Sequence, residues 1–547
     1  MSRFNTSGHK AKPAVATAVS PMGTSSRTAP DTRTFEGSAG WVKNAQTDLF
    51  LRASASFNDG KDKFYESGYQ RDAKLRELAR QVAVTNPVWF GSFVLWLRRV
   101  ANIRTSALMV AADGVKAQLE AGFDGGPGVP SKRAIIDSVL YRADEPGELI
   151  AYWTHQYGRK IPKPVKRGVG DAAKRLYTQR SLLKYDTASH RVRFGDVLNL
   201  THPSADLPVQ GDLFTYALDR RHNPDTARPS ESLQIIRNNI GFRERVTANP
   251  RILCDPAELY AAAMTWEDAL SLSGTVGVEK KDVWEAMAPS MGYMALIRNL
   301  RNFDEAGLSN AAANSVIQKL VDAEEVAKSR QLPFRFYSAY KNTPSLRWGQ
   351  ALETALDLCL PNIPDLSGRT LILTDTSGSM QGQMSDKSTI TCLEAAALFA
   401  VALAIKNAGR ADLYQYATFT AQIPIPKGGS VLRVTEAIAQ QDGAVGHGTD
   451  IAGAVRATYK GHDRIIILSD GQGTRHTNSG GVAASVPDNV PVYLFNIEGY
   501  SASPMPTGSA AHFDLGGLGD GTFKMIPLLE AGDGAWPWEI DAQAPVH

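Results

Sequence analysis

The chain has 547 residues, 43% of them hydrophobic and 21% charged, with a formal net charge of +3 at pH 7. That length allows two or three cores, and that balance belongs to a soluble globular protein rather than a disordered, collagenous or membrane-spanning one. Three cysteines, Cys254, Cys359 and Cys392, lie far apart without CxxC spacing, which excludes a zinc ribbon and a disulfide framework. No apolar run spans a bilayer and the start lacks the compact apolar segment of a signal peptide, so a cytoplasmic protein without a membrane partner is expected.

Residues 1–35 are rich in Ser, Thr, Ala and Pro with almost no large apolar side chains, and are expected to form a disordered tail. From about Trp41 to Tyr340 apolar residues recur three and four apart. Segments such as "DAKLRELARQVA", "FVLWLRRVAN", "AELYAAAMTWEDALSLS", "YMALIRNLRNF" and "SNAAANSVIQKLVDAEEVAKSR" read as helices separated by Gly, Pro, Asn or Asp. Many helices without strands point to stacked helix pairs over residues 36–364, a helical-repeat domain.

Near residues 345–366 the pattern changes. "TLILT", "ADLYQYATF", "RIIILS" and "VPVYLFNI" read as buried strands, alternating with "ITCLEAAALFAVALAIKNAG", "VLRVTEAIAQ", "DIAGAVRATYKG" and a late "FKMIPLLEAG" as helices. That alternation predicts a doubly wound, mostly parallel α/β sheet over residues 365–547. The fold class is therefore multidomain, all-α repeats plus a Rossmann-like α/β module. Residues 365–547 hold 11 Lys+Arg against 18 Asp+Glu, whereas residues 1–364 hold 48 against 38. Such asymmetry suggests an acidic module attached to one that faces polyanions.

The stretch "LILTDTSGSM" ends a strand in oxygen-bearing side chains, Asp375, Ser377 and Ser379. Thr449, before the helix "IAGAVRATYKG", and Asp470, after "RIIILS", lie at the same kind of position. Ligands of open α/β sheets bind at the carboxyl ends of the strands, so the five can converge. Five hard oxygens without nitrogen or sulfur select a divalent cation, Mg²⁺ first and Ca²⁺ or Mn²⁺ next. The plain alternative, turn and N-cap duty, fits any one of them better than all five in order. No P-loop and no G-x-S-x-G elbow is present, and Thr376 stands where an aspartyl-phosphate phosphatase would carry a second aspartate, so no enzyme is expected.

D-x-S-x-S followed by Thr and Asp resembles the metal-ion-dependent adhesion site of von Willebrand factor A domains, a resemblance that covers residues 366–547.

Residues 151–203 are the most basic part of the chain, with 11 Lys+Arg against Asp171, Asp186 and Asp196. Lys160, Lys163, Lys166, Arg167, Lys174, Arg175 and Lys184 are among them, and Trp153, Tyr157, Tyr177, Tyr185 and Phe194 are interleaved. A single-signed excess cannot be made of i,i+4 ion pairs, and basic residues with aromatic faces between them suit nucleic acid. His202, before Pro203, reads by itself as a helix-capping residue.

"KYDTASHRVRFGDVLNLTHP" and "MGYMALIRNLRNF", joined to an A domain, resemble the Ro autoantigen family, whose helical part is the TROVE domain. The Ser/Ala/Pro-rich start suggests a bacterial or phage version. The resemblance implies HEAT-like helices closing into a ring bridged by the A domain. It implies a structured small noncoding Y-like RNA on the outer surface and single-stranded ends of misfolded or damaged RNAs in the cavity, for RNA quality control. It implies contacts to that RNA from Lys184 and His202. "RKIPKPVKRG" departs from the family in its two prolines and its number of lysines. The reading that follows is a non-enzymatic, monomeric RNA-binding protein with a protein partner at the metal site, an exoribonuclease being the candidate. A protein–protein adaptor and a metal-dependent nuclease using Asp375 and Asp470 are the competing readings.

Overall fold

The computed structural model describes residues 32–33, 39–42, 45–55, 68–331, 333–343, 345–359, 365–384, 389–425, 429–441, 443–473, 482, 485–487, 489–498, 502–505, 512–516, 526–527, 530 and 536. Most of the expected disordered tail and most of "FKMIPLLEAG" lie outside these residues. Packing divides the chain into two compact units, one made of Met1–Val110, Leu332–Ser338 and Leu356–His547, the other of Ala111–Gln331 and Ala339–Ala355.

In the first unit, short antiparallel strands β1 (Thr32–Arg33) and β2 (Ala39–Val42) precede the helices α1 (Ala45–Ala55), α2 (Gly68–Thr85) and α3 (Pro87–Arg99). Asn86 starts α3 by accepting from the Trp89 amide at 3.4 Å, and Pro87 fits where the amide needs no partner. Leu49, Phe50 and Leu51 of α1 are fully buried. The Phe50 ring lies 5.2 Å from Trp96 and 5.6 Å from Trp536, and Trp89 lies 5.0 Å from Trp536. By packing, α1–α3 thus go with the sheet, whereas by element type they go with the helical half.

That sheet has the order β5-β4-β3-β6-β7-β9. Strands β3 (Thr370–Asp375), β4 (Ala411–Tyr416), β6 (Arg464–Ser469), β7 (Val492–Asn496) and β9 (His512–Gly516) are parallel, and β5 (Thr420–Gln422) closes one edge as an antiparallel hairpin. Every residue of β3, β6 and β7 is buried, which is why these strands read as unbroken apolar runs. A two-residue strand, β8 (Ala502–Ser503), pairs with β2.

The second unit is helical. It contains most of α4 (Thr105–Glu120), then α5 (Lys132–Ser138), α6 (Glu145–Tyr157), α7 (Lys163–Leu176), α8 (Gln179–Tyr185), α9 (Phe194–Thr201), α10 (Pro208–His222) and α11 (Gln234–Ala248). These are followed by α12 (Pro256–Ala261), α13 (Trp266–Val276), α14 (Lys280–Met287), α15 (Tyr293–Glu305), α16 (Asn310–Leu320) and α17 (Ala323–Ser329). Helices pack on near neighbours in sequence, α5 on α7, α7 on α9, α9 on α10, α8 on α11 and α13 on α14. A Cβ at Gly168 would stand 2.6 Å from the Arg133 carbonyl, so glycine is what lets α7 close on α5. Trp266, Trp284, Phe303 and Trp348 form a ladder with centroid spacings of 5.5, 5.0 and 6.4 Å, and the Trp348 indole N–H donates to Asp304 at 3.0 Å.

Two segments that read as single helices are each two. "AELYAAAMTWEDALSLS" breaks where Ala263 takes a positive φ of 48° and Thr265 caps α13. "SNAAANSVIQKLVDAEEVAKSR" breaks where Asp322 accepts from the Glu325 amide at 2.9 Å to start α17. In both, a side-chain cap competes successfully with helix continuation.

In the first unit, α18 (Pro333–Asn342) and α19 (Gly349–Cys359) contribute their ends, and α20 (Cys392–Lys406), α21 (Val431–Ala439) and α22 (Ile451–Thr458) connect the strands. Thr391 and Glu394 close a capping box at the start of α20.

Candidate metal centre and basic helical surface

Asp375, Ser377, Ser379 and Asp470 come together at the carboxyl edge of the sheet, and the Thr449 loop is tied to the same edge. Asp375 ends β3 beside Tyr416 of β4, in the parallel register that also sets Thr374 beside Leu468 of β6. Ser377 turns back so that its amide donates to Asp375 Oδ1 at 2.9 Å, and its hydroxyl lies 3.3 Å from that of Ser379. Asp470 follows β6. Thr449 arrives on the loop before α22, which is tied to the β3 loop by Gly378 N–H donating to His447 O at 3.2 Å. The loop is fixed on its other side by Asp450 N–H donating to Ala417 O at 2.9 Å. All five are buried, between 0% and 7% exposed.

Ser469 and Tyr416 each donate a hydroxyl to Asp375 Oδ2, at 2.5 and 3.3 Å, and fix the carboxylate's orientation. Sequence reading missed both. Ser469 stands next to Asp470 and could have been noticed, but Tyr416 depends on a strand order that spacing does not encode.

Burial raises the Asp375 carboxyl above its ordinary range, against hydrogen bonds from Ser469, Ser377 and Tyr416. Burial and the nearby Asp375 push Asp470 up to about 8, against the Ser379 hydroxyl and the Gln472 amide. The Asp470 Oδ2 atom is buried and has no hydrogen-bond partner. Among the described residues no three His, Cys, Asp or Glu side chains cluster as a metal site. The oxygen set at the sheet edge is of another kind, two carboxylates and three hydroxyls. Its orphaned oxygen and its all-oxygen donor set fit a hard divalent cation.

The basic segment divides into charges that are paired and charges that are free. Lys174 meets Asp206 at 2.5 Å, Arg175 meets Asp137 at 2.6 Å and donates to Leu140 O at 2.7 Å, and Arg193 meets Asp186 at 2.6 Å. The excess is therefore partly neutralised by acids that include Asp137 and Asp206 outside the segment, which a count along the chain cannot see. By contrast Arg159, Lys160, Lys163, Lys166 and Arg167 make no ion pair among the described residues. They surround the start of α7, whose N-cap Pro162 supplies no side-chain acceptor and whose first turn holds no acid. Basic residues at a helix N-terminus oppose the helix dipole, so this arrangement awaits an anion. The two prolines of "RKIPKPVKRG" serve as N-cap and N2 there.

Lys184 is exposed and lies over the Tyr185 ring at 5.2 Å, with Arg142 over the same ring at 5.4 Å. His202 is exposed and is indeed a capping residue. It ends α9 in the left-handed conformation (φ 46°, ψ 54°) while its amide donates to Leu198 O. Its imidazole is free of that backbone duty. Tyr177, the C-cap of α7, and Phe194, the first residue of α9, stack at 3.7 Å.

Comparison with known proteins gives three findings. Residues 260–346 match the TROVE domain family. This span includes "MALIRNL" of α15 but lies beyond the basic segment. Telomerase protein component 1 of Mus musculus is 38% identical over 84 residues, 15% of this chain and 3% of that protein, and that of Rattus norvegicus is 37% identical over 84 residues with the same coverage. The chain thus spans a small fraction of the length of the curated relatives it matches. The crystal structure of the Deinococcus radiodurans Ro (RSR) protein superposes with a TM-score of 0.59, covering 89% of this chain and 99% of that one at 17% identity.

These findings define the class, a protein with a TROVE segment in a helical-repeat unit and a six-stranded α/β sheet in the same chain. Its fold is that of the Ro protein, and the resemblance to the Ro autoantigen family read from the sequence is borne out.

Proposed function

We propose that this chain is a non-enzymatic RNA-binding protein of the Ro type. It binds a structured, Y-like small noncoding RNA and the single-stranded ends of misfolded or damaged RNAs, and so serves noncoding-RNA quality control in the cytoplasm as a monomer. The observation that carries this reading is the set of five unpaired cations around the start of α7. No acid among the described residues pairs with them, and a phosphate chain would neutralise them. Lys184 and His202, both exposed, add donors to the same surface in this proposal. Lys174 and Arg175 contribute through exchange of partners, since each already holds an acid. The test is sequencing of the RNA that co-purifies with the protein. A discrete small structured RNA supports the reading, and a nucleic-acid-free protein that binds no added RNA overturns it.

Asp375, Ser377, Ser379, Thr449 and Asp470 would hold a divalent cation, Mg²⁺ first. Bound there, it would supply an electrophilic position able to take a carboxylate from a protein partner, an exoribonuclease being one candidate. Phe419 is 70% exposed, and its amide donates to Val445 O at 2.8 Å on the loop that leads to Thr449. An exposed aromatic beside the pocket supports a protein partner at that edge.

A further inference from the structure

Tyr260, in the last turn of α12, is 62% exposed, and the Arg180 guanidinium lies over its ring, 4.7 Å from the centroid. Arg180 makes no ion pair among the described residues. Glu258, the carboxylate two residues before Tyr260, is already engaged by Arg245 at 3.1 and 2.6 Å, so the pair keeps a net positive charge.

Both partners stand on fixed ground. Gln179 accepts from the Ile235 and Ile236 amides at 2.9 and 3.4 Å, which pins the first turn of α8 to the first turn of α11. Thr178 and Ser181 close a capping box at the same turn. Leu259, beside Tyr260, is buried and anchors α12. A planar cation and an exposed phenol, held in place by their neighbours, offer two π faces and a charge that no acid pairs with among the described residues. Lys184 lies four residues after Arg180, on the same face of α8 and about 6 Å further along its axis, with Tyr185 beside it.

We propose that the Arg180–Tyr260 pair is a stacking slot for an unpaired nucleobase, with phosphates of the same strand meeting Lys184. The proposal rests on the RNA-binding reading and names the feature recognised, a base free of its stack. A duplex keeps its bases stacked inside and cannot offer one.

The test uses the full chain with an unstructured single-stranded RNA carrying 2-aminopurine and with a blunt RNA duplex of equal length. Wild-type binding should quench 2-aminopurine. Tyr260→Ala should weaken single-strand binding by about fivefold or more and abolish the quench, leaving duplex affinity unchanged. Tyr260→Phe should behave as wild type, and Arg180→Ala as Tyr260→Ala. Wild-type binding and quenching by Tyr260→Ala would overturn the slot alone, as would equal losses for both RNAs. Failure of the wild type to bind either RNA would overturn the RNA-binding reading, and the slot with it.

Discussion

Arg193 reaches back seven residues to hold Asp186 at 2.6 Å, and the same buried carboxylate accepts the Phe194 amide at 2.9 Å. This one acid closes the loop between α8, which carries Lys184, and α9, which ends at His202. Arg220 approaches it from α10 at 3.7 Å.

Asp186→Ala would leave Arg193 mostly buried without its counter-charge. Loss of one member of a buried pair costs about 3–5 kcal/mol. Chemical denaturation should show a loss of that order in the helical unit, and a loss below about 1 kcal/mol would mean that the loop is held by the Tyr177–Phe194 stack instead.

The division into free and paired charges predicts different salt behaviour. Each phosphate contact contributes about 0.7–0.9 to the slope of log K against log salt. The triple replacement of Lys163, Lys166 and Arg167 by alanine should lower the slope for RNA binding by about two to three. Arg175→Ala should lower it by less than one full contact, because its guanidinium must leave Asp137 and Leu140 to reach a phosphate, and it should also reduce thermal stability. Equal slopes for both variants would contradict the division.

Mg²⁺ should raise the melting temperature of the wild type, since a ligand at about a hundred times its Kd stabilises by about 2.7 kcal/mol. Asp375→Ala combined with Ser377→Ala should abolish that rise while leaving RNA affinity near wild type. A Mg²⁺ shift that survives in this variant would remove the five residues from any metal role.

At the amino edge of the sheet His462 Nδ1 accepts the Lys460 amide at 3.2 Å, so Nε2 carries the proton and donates to Asp412 at 2.8 Å. Partial burial would raise Asp412, but hydrogen bonds from His462 and Arg369 and the Arg369 charge outweigh it and hold the carboxyl below its ordinary range. A lowered folded-state value stabilises above the unfolded carboxyl pKa of about 3.9 and ceases to do so as pH falls through the folded value. The melting-temperature gap between wild type and Asp412→Asn should therefore hold steady near neutrality and close below about pH 4. A gap that persists in strong acid would assign the effect to shape rather than charge.

Buried parallel strands and amphipathic helices announce themselves by period, and "TLILT", "RIIILS" and "VPVYLFNI" became β3, β6 and β7 for that reason. Short elements do not. β5 and β9 carry mixed polarity, and β2 is four residues, one of whose two pairing partners lies more than 450 residues away. The placement of the oxygen residues was legible because βα connections fix which sheet edge they reach. Tyr416 was not, since it depends on lateral strand order. On the basic surface residue types could be read, whereas the partners Asp137 and Asp206 of Arg175 and Lys174 arise only when separate helices meet.

Trp41 pairs with Ser503, and Phe50 and Trp89 flank Trp536. One unit thus draws on segments separated by more than 440 residues of chain. During synthesis, α1 and α3 must wait for all of that intervening chain before the Trp536 ring exists. An excised α/β fragment beginning at residue 365 would expose Trp536, whereas a fragment that keeps residues 39–110 alongside it would cover that ring.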